Sequence, residues 1–454
     1  MDLNCSASVS RGRMASKYHA QYLAKKCSPE QAVSVINDGD VVYSGGEPNL
    51  LLNALYTAGD RFKNVTHCSM FGIMGTQGSN VNSEELAGHV RFTATVLKHY
   101  EERAWATGRP DQILVPFSEM ERLIEQRHRP NAVMTHCSSM DDDGYFYMGN
   151  HPSGARTAVD CGAKVLVQTN DQMPLIYSDH YRVHISEVTA VCEISEPVLS
   201  LDAPIKRVAT DVDITIASHI VERIPNGASI QLGVGTVPDI VGKQLENHKD
   251  LGIHTEAFIG AYIDLIKKGV VNNSKKELCP GISVAAIFIG GALLAPEIIS
   301  RNPLIQMKKL AWINNPENIG QISNLISINS CLGVDLRGQV CSESIGMSVT
   351  GGIGGQLDFV RGARLSKGGK SFIAFRSTVE KKDGGRISKI SLDLPVGSIV
   401  STPRSDVMYV VTEYGVADLL YKSVKERAEA LIAVAHPDFR DDLRFKAKES
   451  GLIY

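Results

Sequence analysis

The chain has 454 residues, too many for one ordinary hydrophobic core, so two or three domains are expected. Its 43% hydrophobic and 21% charged content and net charge of −3 exclude the basic surplus of a nucleic-acid binder and the acidic excess of a solvating tail. No apolar run reaches the ~20 residues of a membrane span; the longest, Ile282 to Leu294, is broken by Gly290 and Gly291 and reads as a buried strand feeding a loop.

Residues 1–14 carry Arg11, Arg13 and several serines without an amphipathic stripe, and read as a disordered extension rather than a transit segment. A cytoplasmic location is expected. The nine cysteines show neither CxxC nor Cys/His zinc spacing, as expected of free thiols in a reducing compartment. Cys331 and Cys341 flank a glycine-rich stretch, and most of the nine read as small buried hydrophobes.

From Ser28-Pro-Glu30 the stripe Ala32, Val33 and Ile36 predicts a short capped helix. Asp38-Gly-Asp40 then opens a strand, Val41 to Tyr43, which runs through Ser44-Gly-Gly-Glu-Pro48 into a helix, Asn49 to Leu55. Further strands are expected around 65–70, 90–96, 132–135 and 165–169, the alternation of a parallel βαβ sheet. The pattern breaks at Asp202-Ala-Pro204 and restarts with a helix near 213–222, a strand over 227–232 and a helix opened by Pro238. Both Gly39–Leu55 and Gly227–Asn247 read as glycine, short apolar strand, paired glycines, Pro near a helix start, apolar helix. The repetition predicts two similar open, mostly parallel α/β domains, residues 15–203 and 204–454. Later strands are expected at 282–289, 325–329, 332–336, 371–375 and 407–411. A helix from Ser423 to Val434, with Val424, Ala428, Leu431 and Ile432 inward, closes the pattern.

Three constellations can carry chemistry. The turn Gly233-Val-Gly235-Thr-Val-Pro238 leaves backbone N–H groups at a helix start, where an anion is favoured, although an ordinary tight turn has the same composition. The apolar run Leu251 to Phe258 carries a lone acid, Glu256, at the carboxyl end of a buried strand, where open α/β sheets bind ligands. A carboxylate there can be acid, base, metal ligand or covalent nucleophile. His254, by contrast, reads as a packing or hydrogen-bonding residue. The third is Thr350-Gly-Gly-Ile-Gly-Gly-Gln-Leu-Asp-Phe359, with four glycines in five residues, a composition suited to an oxyanion-binding backbone or to a mobile link. No G-x-S-x-G or S-x-x-K motif accompanies it, which argues against a serine hydrolase.

Taken together, these segments resemble the acetyl-CoA hydrolase/transferase family of class I CoA transferases, with a likeness to its 4-hydroxybutyrate CoA-transferase branch. The resemblance is carried by Gly-Val-Gly-Thr-Val-Pro-Asp (233–239), Gly-Ile-His-Thr-Glu-Ala-Phe (252–258), Ser-Ile-Asn-Ser (327–330) and Gly-Gln-Val-Cys-Ser-Glu-Ser-Ile-Gly (338–346). It continues through Gly-Gly-Gln-Leu-Asp-Phe-Val-Arg-Gly-Ala (354–363), Leu-Ser-Lys-Gly-Gly-Lys-Ser (365–371), Val-Val-Thr-Glu-Tyr-Gly-Val-Ala (410–417) and Ala-His-Pro-Asp-Phe-Arg (435–440).

The resemblance implies a CoA-transferase fold with the active site between its two domains. It makes Glu256 the catalytic nucleophile, working through an acyl-glutamyl anhydride and a glutamyl-CoA thioester. It assigns Gln231, Leu232, Gly233, Val234 and Gly235, with Gly351, Gly352, Gly354 and Gly355, to CoA and oxyanion binding. The first half departs from the family pattern at Val42 to Pro48 and His67 to Gly72. Tyr43, Ser44, Met70, Phe71 and Gln356 are therefore candidates for the acyl pocket, with core packing the competing role for Met70 and Phe71. Coenzyme A enters as a substrate, with no permanently bound cofactor and no metal. The expected partners are acyl-CoA and a small carboxylate, in a homo-oligomer, with a dimer as the base-rate state. Acetyl-, butyryl- or succinyl-CoA as donor and 4-hydroxybutyrate as acceptor fit the resemblance. An acyl-CoA hydrolase on the same scaffold and a non-enzymatic acyl-CoA-binding protein are the alternatives.

Overall fold

Short apolar stretches ended by glycine turns, each followed by a helix, leave the chain little choice but parallel strands joined by crossovers. A computed structural model describes residues 17–71, 84–97, 111–198, 209–290, 293, 295–381 and 384–454. The extension at 1–14 and the break at 202–204 lie outside the described residues.

Seven strands build the first sheet: Val41–Gly45 (β1), Val65–Phe71 (β2), Val90–Val96 (β3), Asp111–Gln112 (β4), Ala132–Ser138 (β5), Lys164–Asn170 (β6) and Val188–Ile194 (β7). Their order is β4-β3-β2-β1-β5-β6-β7, and every pairing is parallel. Eight strands build the second: Ser229–Leu232 (β8), Gly252–Phe258 (β9), Ser283–Phe288 (β10), Ile305–Met307 (β11), Leu325–Asn329 (β12), Lys370–Ala374 (β13), Tyr409–Thr412 (β14) and Gly415–Asp418 (β15). Their order is β11-β10-β9-β8-β12-β13-β14-β15, with only the edge strand β15 antiparallel. Counted from its own first strand, the second sheet repeats the order of the first, so the likeness of the two glycine-turn units extends to whole sheets.

The helices that matter for the site are Asn49–Thr57 (α1), Thr236–Gln244 (α2), Leu310–Asn314 (α3), Gln356–Leu365 (α4), Val424–Val434 (α5) and Pro437–Glu449 (α6). Ser28 and Gln31 form the expected capping box at Pro29–Val33, and Ser423 and Glu426 form another on α5. On α5, Ala428, Leu431 and Ile432 are buried, but Val424 is 45% exposed because it lies in the first turn, outside the packed stripe. Nor does α5 close the chain: α6 follows, started by Pro437 and burying Leu443 and Ala447 on a mostly charged helix. That polar composition is why the periodicity of α6 is faint in sequence.

One apolar core runs through both halves, joining Phe117, Met120 and Ile124 to Ile253, Phe258, Leu310 and Ile313. The halves are thus packed on each other, with the carboxyl end of β3 pressed on the loop that precedes α4.

Candidate active site

The strand β9 carries the acid. Its residues are buried except Glu256, which is half-buried. Strand alternation puts His254, Glu256 and Phe258 on one face. On that face lies α3, and the His254 ring holds it in place: Nε2 donates to the Ile313 carbonyl at 2.8 Å. The ring also packs against Trp312, with centroids 5.6 Å apart. Burial pushes the His254 pKa down to about 3, so the ring is neutral and structural.

Asn314, the last residue of α3, is fully buried and donates from Nδ2 to Glu256 Oε2 at 2.8 Å. The glycine loop closes the other side. A Cβ on Gly355 would stand 1.9 Å from Glu256 Oε2 and 2.0 Å from Asn314 Nδ2, so only glycine lets this backbone touch the carboxyl. Burial raises the Glu256 pKa to about 7; the Asn314 hydrogen bond opposes the rise and the nearby charge of Asp358 adds to it. Some of Glu256 still faces open space, but its packed walls outweigh that exposure.

Glu256 opens into a cleft of about 740 Å³. Gln231, Leu232, Gly233 and Val234 line it from the end of β8, and Gly352, Gly354, Gly355 and Gln356 line it from the loop. Gly235 and Gly351 lie just outside the lining. Gly235, at φ 140°, begins α2. Gly351 turns its carbonyl to the Gln112 side chain at 2.7 Å. Beneath the turn, Gln231 Oε1 accepts from Ser327 Oγ at 2.7 Å and from Asn329 Nδ2 at 3.2 Å. This polar floor joins β8 to β12 where the strand order reverses, the usual ligand position of an open α/β sheet. Gln356 lines the cleft rather than a separate acyl pocket, and its Nε2 donates to Thr402 at 2.9 Å.

The candidates from the first half are divided. Ser44, Met70 and Phe71 line a second, much smaller cavity, together with Glu47 and His151. Ser44 Oγ hydrogen-bonds His67 Nε2 at 2.8 Å. Tyr43 does not join them. Alternation along β1 turns its ring into the core, where its hydroxyl donates to the Ser153 carbonyl. Packing links this region to the glycine loop: the Phe71 ring meets Phe117 edge-on at 6.1 Å, and Phe117 N donates to Gly354 O at 3.2 Å.

Asn314 and Ser118 had no signal in the sequence. An asparagine ending a helix and a serine in a polar turn are commonplace, and only the fold brings them to Glu256 and Asp358. Among the described residues no group of three or more His, Cys, Asp and Glu could hold a metal. The eight described cysteines are free; Cys331 and Cys341 are buried, and the thiol of Cys331 is pushed up to about 12.

Comparison with known proteins fits this geometry. The models of the acetyl-CoA hydrolase/transferase N-terminal and C-terminal domains match residues 11–201 and 295–447. A Geobacter metallireducens protein named succinyl-CoA:cyclohexane-1-carboxylate CoA transferase is 38% identical over 96% of the chain and 98% of its own length. The 4-hydroxybutyrate coenzyme A transferase of Clostridium kluyveri is 38% identical over 94% of the chain and 98% of its own length. The crystal structure of RipA from Yersinia pestis superposes with a TM-score of 0.88 at 33% identity, covering 96% of this chain and all of that one.

Proposed function

This chain belongs to the acetyl-CoA hydrolase/transferase family, and we propose that it moves coenzyme A from a short-chain acyl-CoA to a small carboxylic acid, with Glu256 as the covalent nucleophile. The observation that carries the reading is the Glu256 carboxyl, tied to Asn314 through one oxygen, pressed against the Gly355 backbone and open to the large cleft.

In this reading the ionised Glu256 attacks the thioester carbonyl, the C–S bond breaks, and CoA leaves as a thiolate from an acyl-glutamyl anhydride. The thiolate then attacks the glutamyl carbonyl, releases the first acid as a carboxylate, and leaves a glutamyl-CoA thioester. The acceptor carboxylate runs the same two steps backwards. No net proton is consumed, so the one protonation demand is that Glu256 be ionised. A carboxylate of pKa about 7 suits the task, being more nucleophilic than a solvated one and still substantially ionised at neutral pH. In this reading the backbone of Gly351 to Gly355 stabilises the tetrahedral oxyanions, at about 3 kcal/mol for each good donor. Gln231 to Val234 line the same cleft as a seat for part of CoA. The names of the relatives favour donors such as acetyl-, butyryl- or succinyl-CoA and acceptors such as 4-hydroxybutyrate.

The test is chemical trapping. Incubation with acyl-CoA, reduction with borohydride and mass spectrometry are expected to modify the peptide bearing Glu256, and Glu256→Gln is expected to lose both the modification and turnover. A Gln variant with wild-type turnover would remove the nucleophile. Thioester loss that is undiminished when every acceptor acid is omitted would replace the transferase with a hydrolase.

A further inference from the structure

Asp358 stands in the first turn of α4, three residues after Gly355, and is 6% exposed. Its carboxyl accepts from Ser118 Oγ at 2.7 Å and from Ser118 N at 3.1 Å, both from the first half of the chain. The Asn314 side chain, the same amide that donates to Glu256, lies close enough to the Asp358 carboxyl to favour its ionised form. Asn314 thus lies between two carboxyls. A primary amide has two N–H bonds and one carbonyl oxygen. Turned the other way, it would aim that oxygen at a carboxylate, so the two acids together dictate its orientation.

We infer that Asp358, clamped by Ser118, is a positioning residue that orients the Asn314 amide and thereby fixes the attacking geometry of Glu256. The inference rests on Glu256 being the nucleophile. One Glu256 oxygen is then held by the amide and the other is left for the thioester carbonyl, with the carboxyl plane fixed before substrate arrives. Reactions of bound partners are sensitive to such orientation. The same placement sets two negative charges near each other in a poorly solvated site, so ionising one opposes ionising the other. His254 on β9 is neutral, and Lys276 lies behind it, with Nζ donating to the Ile253 carbonyl at 2.8 Å. Arg361 on α4 pairs with Asp406. Glu121 sits at the far end of α3, taking the Ala311 N–H at 3.1 Å.

The test is Asp358→Asn, which keeps shape and hydrogen bonding to Ser118 while removing the charge. The expected result is a kcat about tenfold lower at nearly unchanged KM for acyl-CoA. The midpoint of the acid limb of kcat/KM should also move down by about half a unit or more. A direct readout is the protonated-carboxyl infrared band that Glu256→Gln abolishes; its titration midpoint should fall in the Asp358→Asn protein. A folded Asp358→Asn protein with wild-type kcat and an unmoved midpoint overturns the inference, whereas full turnover in Glu256→Gln overturns the nucleophile reading beneath it. If Asp358→Asn does not fold, Ser118→Ala decides: kcat reduced at constant KM supports the clamp, and unchanged kcat refutes it.

Discussion

At the scale of single residues, the site depends on how little room surrounds one carboxyl. Gly355 is needed for space rather than for backbone freedom: its φ of −112° suits any residue, yet its Cβ would meet Glu256 Oε2 at 1.9 Å. Gly355→Ala is expected to leave the fold intact and lower kcat at least about a hundredfold, since the loop must retreat from the atoms it serves. Circular dichroism and steady-state rates on the same preparation check this. The pH dependence follows from burial. With Glu256 as the proposed nucleophile, only the ionised carboxylate attacks, so kcat/KM for acyl-CoA should climb about tenfold per unit at acid pH and level off above about 7. A bend at the ordinary glutamate value near 4.5 would show that the carboxyl is solvated. The acid at the strand end is plain in the sequence. Its raised pKa is not, because desolvation comes from α3 and the glycine loop, about sixty and a hundred residues further along the chain.

Among secondary-structure elements, α3 decides the most. It is five residues long, too short to be stable alone, and it is held at both ends by other elements. His254 of β9 fixes its Ile313 carbonyl at 2.8 Å. Glu121 and the Tyr181 hydroxyl take the N–H groups of Ala311 and Leu310 at 3.1 and 3.2 Å. His254→Leu is expected to leave the Ile313 carbonyl unpaired, at a cost of about 1–3 kcal/mol, and to free Asn314. Calorimetry should show a lower Tm, and kinetics a lower kcat with little change in KM. The acid limb near pH 7 should survive, since the histidine is already neutral there. The reading of His254 as structural was legible from its place in an apolar strand. Its partner was not, because backbone carbonyls carry no sequence signature.

For the whole molecule, the second sheet repeats the strand order of the first and adds an edge strand, and β3 and β9 both reach the glycine loop. The halves cross-link there through Gln112 Nε2 to Gly351 O at 2.7 Å, Phe117 N to Gly354 O at 3.2 Å and Ser118 to Asp358. A Cβ on Gly352 would lie 2.4 Å from the Thr95 carbonyl, which shows how closely the loop is pressed on β3. The second half owns Glu256 and the cleft it opens into, while the first supplies the clamp behind the loop and a cavity walled by Ser44, Met70 and Phe71. Catalytic geometry is therefore a property of the docked halves rather than of either sheet.

Local sequence, by itself, determined the alternation of strands and helices, the two repeated glycine-turn units, the acid at the end of β9 and the glycine loop. Those features depend on backbone freedom and apolar periodicity, which neighbouring residues set. Tertiary structure alone decided that Tyr43 turns into the core while Ser44 faces a cavity, and that Asn314, Asp358 and Ser118 converge on Glu256. Contacts between residues tens to hundreds of positions apart arise only when the sheets close on one another, and burial, which sets the charge state of the carboxyl, arises in the same step.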